Sequence, residues 1–234
     1  MKTNAHPIEA VAVIASIGCV REHDAGSAAG QPREGTEARR SVQGVALDAI
    51  SQATSIIVVV ITGPIASGKS TLGRAVAIEF SARGLDSAAV DLDLVYEMLD
   101  PRREPKTDQS CWTEARRLAG KIAAGLLGQR QAVVVEGEFE TKVQRANFCD
   151  ELPSGLRASF VTLTLNFDEA WRRAMVDPTR GVSQDREFLA AHYRARGHAI
   201  PADGDLVLDT GDVSVAVAAR SVADWVLEAK GAPD

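Results

Sequence analysis

The chain has few cysteines, no long apolar segment and no excess of basic residues, and each shortage excludes a class of protein. The three cysteines among 234 residues, Cys19, Cys111 and Cys149, are widely spaced and form neither a disulfide framework nor a metal-ligand pattern. We therefore expect a reducing, cytoplasmic setting. No apolar run approaches the roughly 18–20 residues of a membrane span, so no membrane partner is expected.

The charge balance excludes another class of partner. The net charge is −6, from 26 basic and 32 acidic residues. Because nucleic-acid-binding proteins carry a basic excess, we expect no nucleic-acid partner. A hydrophobic content of 45% and a charged content of 25% are ordinary for a globular protein.

Residues 1–54 are interpreted as a disordered N-terminal extension, followed by a folded domain at 55–232. The part from about 21 to 40 has hardly any large apolar residues and cannot bury a core. The apolar stretch at 8–19 faintly resembles a signal peptide ending at a lipoprotein-type cysteine. Glu9 interrupts that stretch, which favours a short helix or an incorrectly assigned start instead.

The most informative segment is 63–70, with the sequence Gly-Pro-Ile-Ala-Ser-Gly-Lys-Ser, which fits the phosphate-binding pattern G-x-x-x-x-G-K-S/T. A β-branched run at 56–61 precedes it, and apolar residues at helical spacing follow it. A strand, a glycine loop and a helix in this order direct backbone N–H groups at a polyphosphate. Lys69 is expected to reach the outer phosphates and Ser70 to bind Mg²⁺. The alternative is a glycine turn that merely links strand and helix.

The residues predicted to bind the nucleotide in and directly after this segment are Gly63, Ala66, Ser67, Gly68, Lys69, Ser70 and Thr71.

Alternating strand and helix patterns after this segment predict a parallel α/β sheet. Further strands are predicted at 87–90, 132–136, 158–165 and 206–208. A last helix is predicted from about 213 to 229, with a buried face marked by Val213, Val217, Val222, Val226 and Leu227.

Two acidic residues, Asp91 and Asp93, end the second predicted strand, which we expect to neighbour the first. Ligands of open α/β sheets bind beyond the carboxyl ends of strands. One carboxylate could hold Mg²⁺ directly or through water, and the other could accept the proton of an attacking hydroxyl. Alternatively, Asp91 caps the next helix and Asp93 adds favourable charge to its first turn.

The third strand ends in Glu136, Gly137 and Glu138. An acid at this place corresponds to the Walker-B carboxylate of P-loop enzymes, so Glu136 could hold a Mg²⁺-bound water. Gly137 would let a substrate approach the backbone, and Glu138 could face that substrate. Ordinary solvation of a strand end is the alternative for both acids.

Arginines follow the fourth strand. A helix with Arg172 and Arg173 leads into a Pro/Gly loop with Arg180, and Arg186 lies behind it. Arg180 is the candidate for a mobile lid that stabilises charge on a transferring phosphoryl group. Arg172 or Arg173 could stack on a base, although a solvated helix face is the alternative. The turn at 209–211 is expected to lie beside the base of the nucleotide. A plain strand-to-helix turn without a ligand contact is the alternative.

The segment between the second and third strands contains Trp112, Arg116 and Arg117 and could build the acceptor pocket. Alternatively, Trp112 is a residue of the hydrophobic core. His192 and His198 have no partner pattern and are interpreted as surface groups.

These motifs in this order resemble the P-loop small-molecule kinases, a group that includes shikimate kinase, adenylylsulfate kinase, gluconate kinase and chloramphenicol phosphotransferase. The resemblance covers about 55–230 and implies a three-layer P-loop NTPase sandwich, with a five-stranded parallel sheet in order 2-3-1-4-5. It implies that Asp91 supports Mg²⁺, that Asp93 contacts the acceptor and that Arg180 belongs to the lid. Glu136-Gly137-Glu138 stands where shikimate kinases carry three glycines, so the resemblance names the group and not the substrate.

The sequence therefore predicts an ATP- and Mg²⁺-dependent phosphotransferase that acts on a hydroxyl of a small molecule, as a monomer or homodimer. A nucleoside or nucleotide kinase, a toxin-like sugar-nucleotide kinase and a non-catalytic nucleotide-binding module are the alternatives. A regulatory GTPase is excluded because the nearest guanine-reading string, at 141–144, lacks its Asp.

Overall fold

A five-stranded, all-parallel sheet forms the centre of the fold. The computed structural model describes residues 56–102, 108–176, 183–196 and 204–231. The strands are β1 (Ile57–Thr62), β2 (Ser87–Asp91), β3 (Ala132–Gly137), β4 (Ser159–Thr164) and β5 (Leu206–Asp209). Their order across the sheet is β2-β3-β1-β4-β5, and every neighbouring pair is parallel. The predicted fold class is confirmed, and so is the strand order that the resemblance implies.

Helices cover both faces of the sheet. Within the described residues they are α1 (Lys69–Ala82), α2 (Leu92–Leu99), α3 (Gln109–Leu126), α4 (Lys142–Cys149), α5 (Phe167–Val176), α6 (Arg186–Arg196) and α7 (Val215–Gly231). Buried residues of α1 and α7 pack on one face of the sheet, and buried residues of α2, α3 and α4 pack on the other face. None of the helices in these parts of the chain has the length and apolar character that crossing a membrane requires.

The central strand β1 explains why the sheet needs helices on both faces. All six of its residues are buried. Ile57 and Val59 belong to the core under α1 and α7, whereas Val58 and Val60 belong to the opposite core. Successive side chains of a strand point to opposite faces, so a continuous β-branched run marks a strand covered on both sides.

The expectation that β2 lies beside β1 is wrong. β3 pairs with both strands and therefore separates them. The carboxyl ends of all three strands still meet at one edge of the sheet, because the strands are parallel. Asp91 at the end of β2 consequently lies opposite Glu136 of β3.

The predicted buried face of the last helix is only partly correct. Val222 and Val226 are fully buried, whereas Val213 and Val217 remain 41% and 46% exposed. Val213 precedes the first residue of α7. The buried stripe that runs back from Val222 passes through Ala218, one position and therefore about 100° away from Val217.

Candidate active site

The segment after β1 curls back on itself and then enters α1. Gly68 caps this helix with φ 89°, a left-handed conformation that glycine adopts without steric cost. A Cβ at Gly63 would lie 2.8 Å from the Cβ of Leu163, so only glycine fits there. The Lys69 ammonium donates to the carbonyl oxygens of Gly63 and Pro64 at 2.9 and 3.0 Å. The lysine therefore lies against the main chain of its own loop.

The middle of this loop contains a strained residue. Ala66 has φ 65°, a conformation that costs a non-glycine residue of order 1 kcal/mol and persists only where neighbours enforce it. The Ser67 amide donates to Pro64 at 3.2 Å, and the Thr210 hydroxyl donates to the Ser67 carbonyl at 2.9 Å. The Ser67 hydroxyl oxygen is buried and has no hydrogen-bond partner within the described residues.

Asp91 both caps a helix and lies beside a second carboxylate. Its Oδ1 accepts hydrogen bonds from the amides of Asp93 and Leu94, at 2.9 and 3.4 Å, at the start of α2. The capping alternative is thus correct, and it does not displace Asp91 from its position opposite Glu136. Asp93 is exposed in the first turn of the helix.

The pKa of Glu136 is shifted strongly from its ordinary value. It is only 6% exposed, and burial, reinforced by the neighbouring Asp91 carboxylate, raises its pKa to about 8. Ser70 and Lys69 act in the opposite direction and favour its ionised form. Gly73 of α1 makes room for this side chain, since a Cβ there would lie 3.3 Å from the Glu136 Cβ and Cγ.

The residues at this edge fit a bound Mg²⁺. Glu136 Oε1 is buried without a hydrogen-bond partner among the residues that the structure describes. Ser70, Asp91 and Glu136 offer the hard oxygen ligands that this ion takes. The described residues contain no cluster of three or more His, Cys, Asp or Glu side chains that could hold a metal by themselves. An ion here would therefore depend on oxygens from phosphates and water as well.

A pocket of about 360 Å³ is partly lined by the same loop. It is lined by Ala66, Ser67, Gly68, Thr71, Leu72, Arg172, Arg173, Val176, Thr210, Val213, Val215 and Ala218. Six predicted nucleotide-binding residues are therefore close together here, namely Ala66, Ser67, Gly68, Thr71, Arg172 and Arg173. The turn after β5 enters the pocket through Thr210.

Glu169 holds the two arginines of the pocket in place. Arg172 donates to it through Nε and Nη2 at 2.7 and 2.6 Å, and Arg173 donates through Nε at 2.8 Å. These hydrogen bonds lower the pKa of Glu169 to about 2. Arg173 also donates to the Thr210 carbonyl, which connects α5 to the turn after β5. Arg173 is thus fixed on two sides, whereas Arg172 is 67% exposed.

The structure gives its own reason for a glycine at 137. A Cβ there would lie 2.5 Å from the Cβ of Leu92, so only glycine fits beside this leucine. The predicted contact of Gly137 with a substrate stays a prediction. Glu138 is half-buried, and its carbonyl accepts a hydrogen bond from Arg116 Nε at 2.8 Å. Arg116 itself is 3% exposed, which makes it part of the protein interior.

Trp112 packs mainly against protein. It is half-buried, and its ring centroid lies 4.3 Å from that of Tyr96 in the core under α2 and α3. These contacts agree with the prediction that Trp112 is a residue of the hydrophobic core. Arg117 is exposed on the same helix.

The sequence interpretation missed His192. Its Nε2 accepts a hydrogen bond from the Ile65 amide at 3.1 Å, and the adjacent Tyr193 hydroxyl donates to the Ile65 carbonyl at 2.9 Å. His192 is thus a half-buried contact of the loop and not a surface group. The partner lies 127 positions away, and only the pattern of a histidine beside a tyrosine on a helix was visible in the sequence.

Two predicted residues, Arg180 and His198, lie outside the described residues. Arg186 begins α6, and its guanidinium carbon lies 5.9 Å from the ring centroid of Trp171.

The described fold is similar to that of several solved small-molecule kinases. A gluconokinase from Sinorhizobium meliloti has a TM-score of 0.58 at 19% identity, covering 76% of this chain and 95% of its own. The Mycobacterium tuberculosis APS kinase CysC, in complex with AMPPNP and APS, has 0.54 at 20%, covering 75% and 99%. A shikimate kinase from Acinetobacter baumannii, in complex with shikimate, has 0.53 at 16%, covering 78% and 99%. At these identities the likeness establishes the fold.

By sequence, the chain matches no protein-family model and no curated protein.

Proposed function

We propose that the protein is an ATP- and Mg²⁺-dependent phosphotransferase that moves the γ-phosphate of ATP to a hydroxyl of a small molecule. The observation that carries this proposal is the meeting of three features at one sheet edge. The loop with Lys69 and Ser70 adjoins the opposed carboxylates Asp91 and Glu136, and other residues of the same loop line the pocket with Arg173.

This arrangement divides into a nucleotide side and an acceptor side. The pocket beside Arg172 and Arg173 would take the base, and the loop amides with Lys69 would bind the β- and γ-phosphates. Ser70, Asp91 and Glu136 would hold Mg²⁺, which supplies charge neutralisation on the phosphates when it is bound. The solved structures with this fold support the choice, since one of them is an APS kinase with AMPPNP and APS and another is a gluconokinase.

The acceptor would approach the exposed Asp93. This carboxylate orients the acceptor hydroxyl and takes its proton as the new oxygen–phosphorus bond forms. The bond between the γ-phosphorus and the bridging oxygen breaks, and ADP leaves with the bridging oxygen. Arg180 would stabilise the charge on the transferring group. A molecule that only binds nucleotide requires neither Asp93 nor a buried carboxylate pair, which favours an enzyme over a binding module.

The test is ATP turnover by the full chain with Mg²⁺ against a panel of hydroxylated metabolites, nucleotides and antibiotics. ADP release is measured by a coupled assay, and the product is identified by phosphorus NMR. Strong stimulation by one compound with a new phosphate ester is the expected result. Tight binding of Mg·ATP without transfer to any compound would instead support the non-catalytic nucleotide-binding module.

A further inference from the structure

Two consecutive residues of α6 hold both main-chain polar groups of one loop residue. The Ile65 amide donates to His192 Nε2 at 3.1 Å, and the Ile65 carbonyl accepts from the Tyr193 hydroxyl at 2.9 Å. Because Nε2 accepts here, the neutral ring must carry its proton on Nδ1. Ile65 is therefore fixed by two side chains that come from one distant helix.

The helix that carries these side chains is itself anchored. A small apolar cluster joins it to α5 and to the loop, and its buried members are Ala66, Leu165, Ala170, Ala174 and Leu189. The Tyr193 ring also meets Phe167 edge-on at a centroid distance of 5.8 Å. Packing of this kind fixes the direction of both side chains on the helix.

The contact is placed beside the strained residue of the loop. Ala66, with φ 65°, directly follows Ile65. On its other side the Ser67 carbonyl accepts from Thr210 at 2.9 Å. A non-glycine residue in this conformation persists only when its surroundings enforce it, and these two contacts restrain the chain on both sides of Ala66.

We propose that His192 and Tyr193 are positioning residues of the phosphate-binding loop. They hold Ile65 so that the amides that follow it keep the direction required for phosphate. The effect on nucleotide affinity rests on the proposed function, whereas the effect on the loop itself does not. Both side chains act through the main chain, so their role does not depend on the identity of the acceptor.

The first experiment measures hydrogen–deuterium exchange of peptides covering 63–68 in the nucleotide-free full chain. His192→Leu removes the acceptor and Tyr193→Phe removes the donor, whereas His192→Gln keeps an acceptor at a similar reach. Arg194→Gln, at an exposed position on the same helix, is the matched control. Since one net hydrogen bond is lost, we expect roughly three- to tenfold faster exchange in the first two variants only.

The second experiment measures the affinity for Mg·ATP and the turnover at saturation. We expect the same two variants to bind roughly three- to tenfold more weakly, with kcat unchanged, because a smaller fraction of the molecules has a competent loop. A lower Tm with unchanged loop exchange and affinity would overturn the proposal. Faster loop exchange in a protein whose wild type does not bind Mg·ATP would refute the proposed function but support the positioning role.

Discussion

Asp91 and Glu136 lie directly opposite each other on the neighbouring parallel strands β2 and β3. Burial and the Asp91 carboxylate raise the pKa of Glu136 to about 8. Two neighbouring carboxylates do not ionise together without a cost, unless a cation or a proton is shared between them. Between pH 4.5 and about 8, the folded protein without ligand therefore keeps a proton on Glu136 that the unfolded chain releases.

This pair predicts how stability depends on pH. The pKa of Glu136 rises from 4.5 in the unfolded chain to about 8 in the folded protein. Between these two pH values the folded state binds more protons than the unfolded chain. The stability that the protonated Glu136 contributes is therefore complete below pH 4.5 and is lost as the pH rises towards 8. The free energy of unfolding should decrease over this range without nucleotide or Mg²⁺. Urea unfolding at a series of pH values measures this slope.

Glu136→Gln should remove most of this slope, because a neutral amide replaces the carboxyl. Glu114→Gln, at an exposed position on α3, is the control and should keep it. If wild type and Glu136→Gln show the same slope, the proton is not held at this carboxyl pair.

Lys69→Ala should abolish nearly all phosphoryl transfer. The ammonium already lies within the loop, where it donates hydrogen bonds to the carbonyls of Gly63 and Pro64. Loss of one preorganised donor to a developing charge costs about 10²–10³ in kcat. The measurement is kcat with the acceptor found in the panel assay.

Lys142→Ala removes an exposed lysine at the start of α4 and should leave turnover unchanged. Near-normal turnover of Lys69→Ala, with its circular dichroism spectrum intact, would contradict the proposed phosphate contact.

Asp93→Asn should lower kcat and leave the affinity for ATP unchanged. Asp93 is exposed in the first turn of α2, and an amide cannot take the proton of a hydroxyl. Single-turnover rates and ATP titrations separate the two quantities. Asp150→Asn, at the end of α4, is the exposed control. Weaker ATP binding with an unchanged single-turnover rate would assign Asp93 to the nucleotide instead.

The parts of the site that could be predicted are those written in consecutive residues. The loop at 63–70 combines its glycines, lysine and serine within one segment, so a local pattern is sufficient to find it. The carboxylates Asp91 and Glu136 were predictable because parallel strands bring their carboxyl ends to one edge. The β-branched run of β1 likewise predicted a strand buried on both faces.

The remaining features depend on contacts between distant segments. Tyr193 and His192 meet Ile65 across more than 120 positions, and no spacing rule connects such residues. The glycine at 137 is explained by Leu92, which lies 45 positions away in the sequence and is buried in the same core as residues of β3. The pattern of valines predicts the wrong face for Val217, because alanines, which carry little periodic signal, form much of the buried stripe of α7.

A buried ion pair at the start of β5 provides a test of the fold itself. Arg145 and Asp205 form a bidentate pair with contacts of 2.8 and 2.7 Å, and their side chains are only 13% and 5% exposed. The Thr162 hydroxyl donates to the same carboxylate at 2.8 Å. This network joins α4 to the chain that enters β5, so it contributes to the placement of the edge strand.

Asp205→Ala should destabilise the protein by about 3–5 kcal/mol, because it leaves the charge of Arg145 buried without its carboxylate. Asp224→Ala is the control, since it breaks the ion pair of Asp224 with Arg83. The Arg83 and Asp224 side chains are 27% and 57% exposed, so the loss of this pair should cost less than about 1 kcal/mol. Urea unfolding of both variants measures the difference. The double replacement Arg145→Met with Asp205→Leu should recover much of the loss, because an apolar pair of similar volume removes the unpaired charge. Equal, small losses in the two single variants would show that the pair near β5 is hydrated in solution.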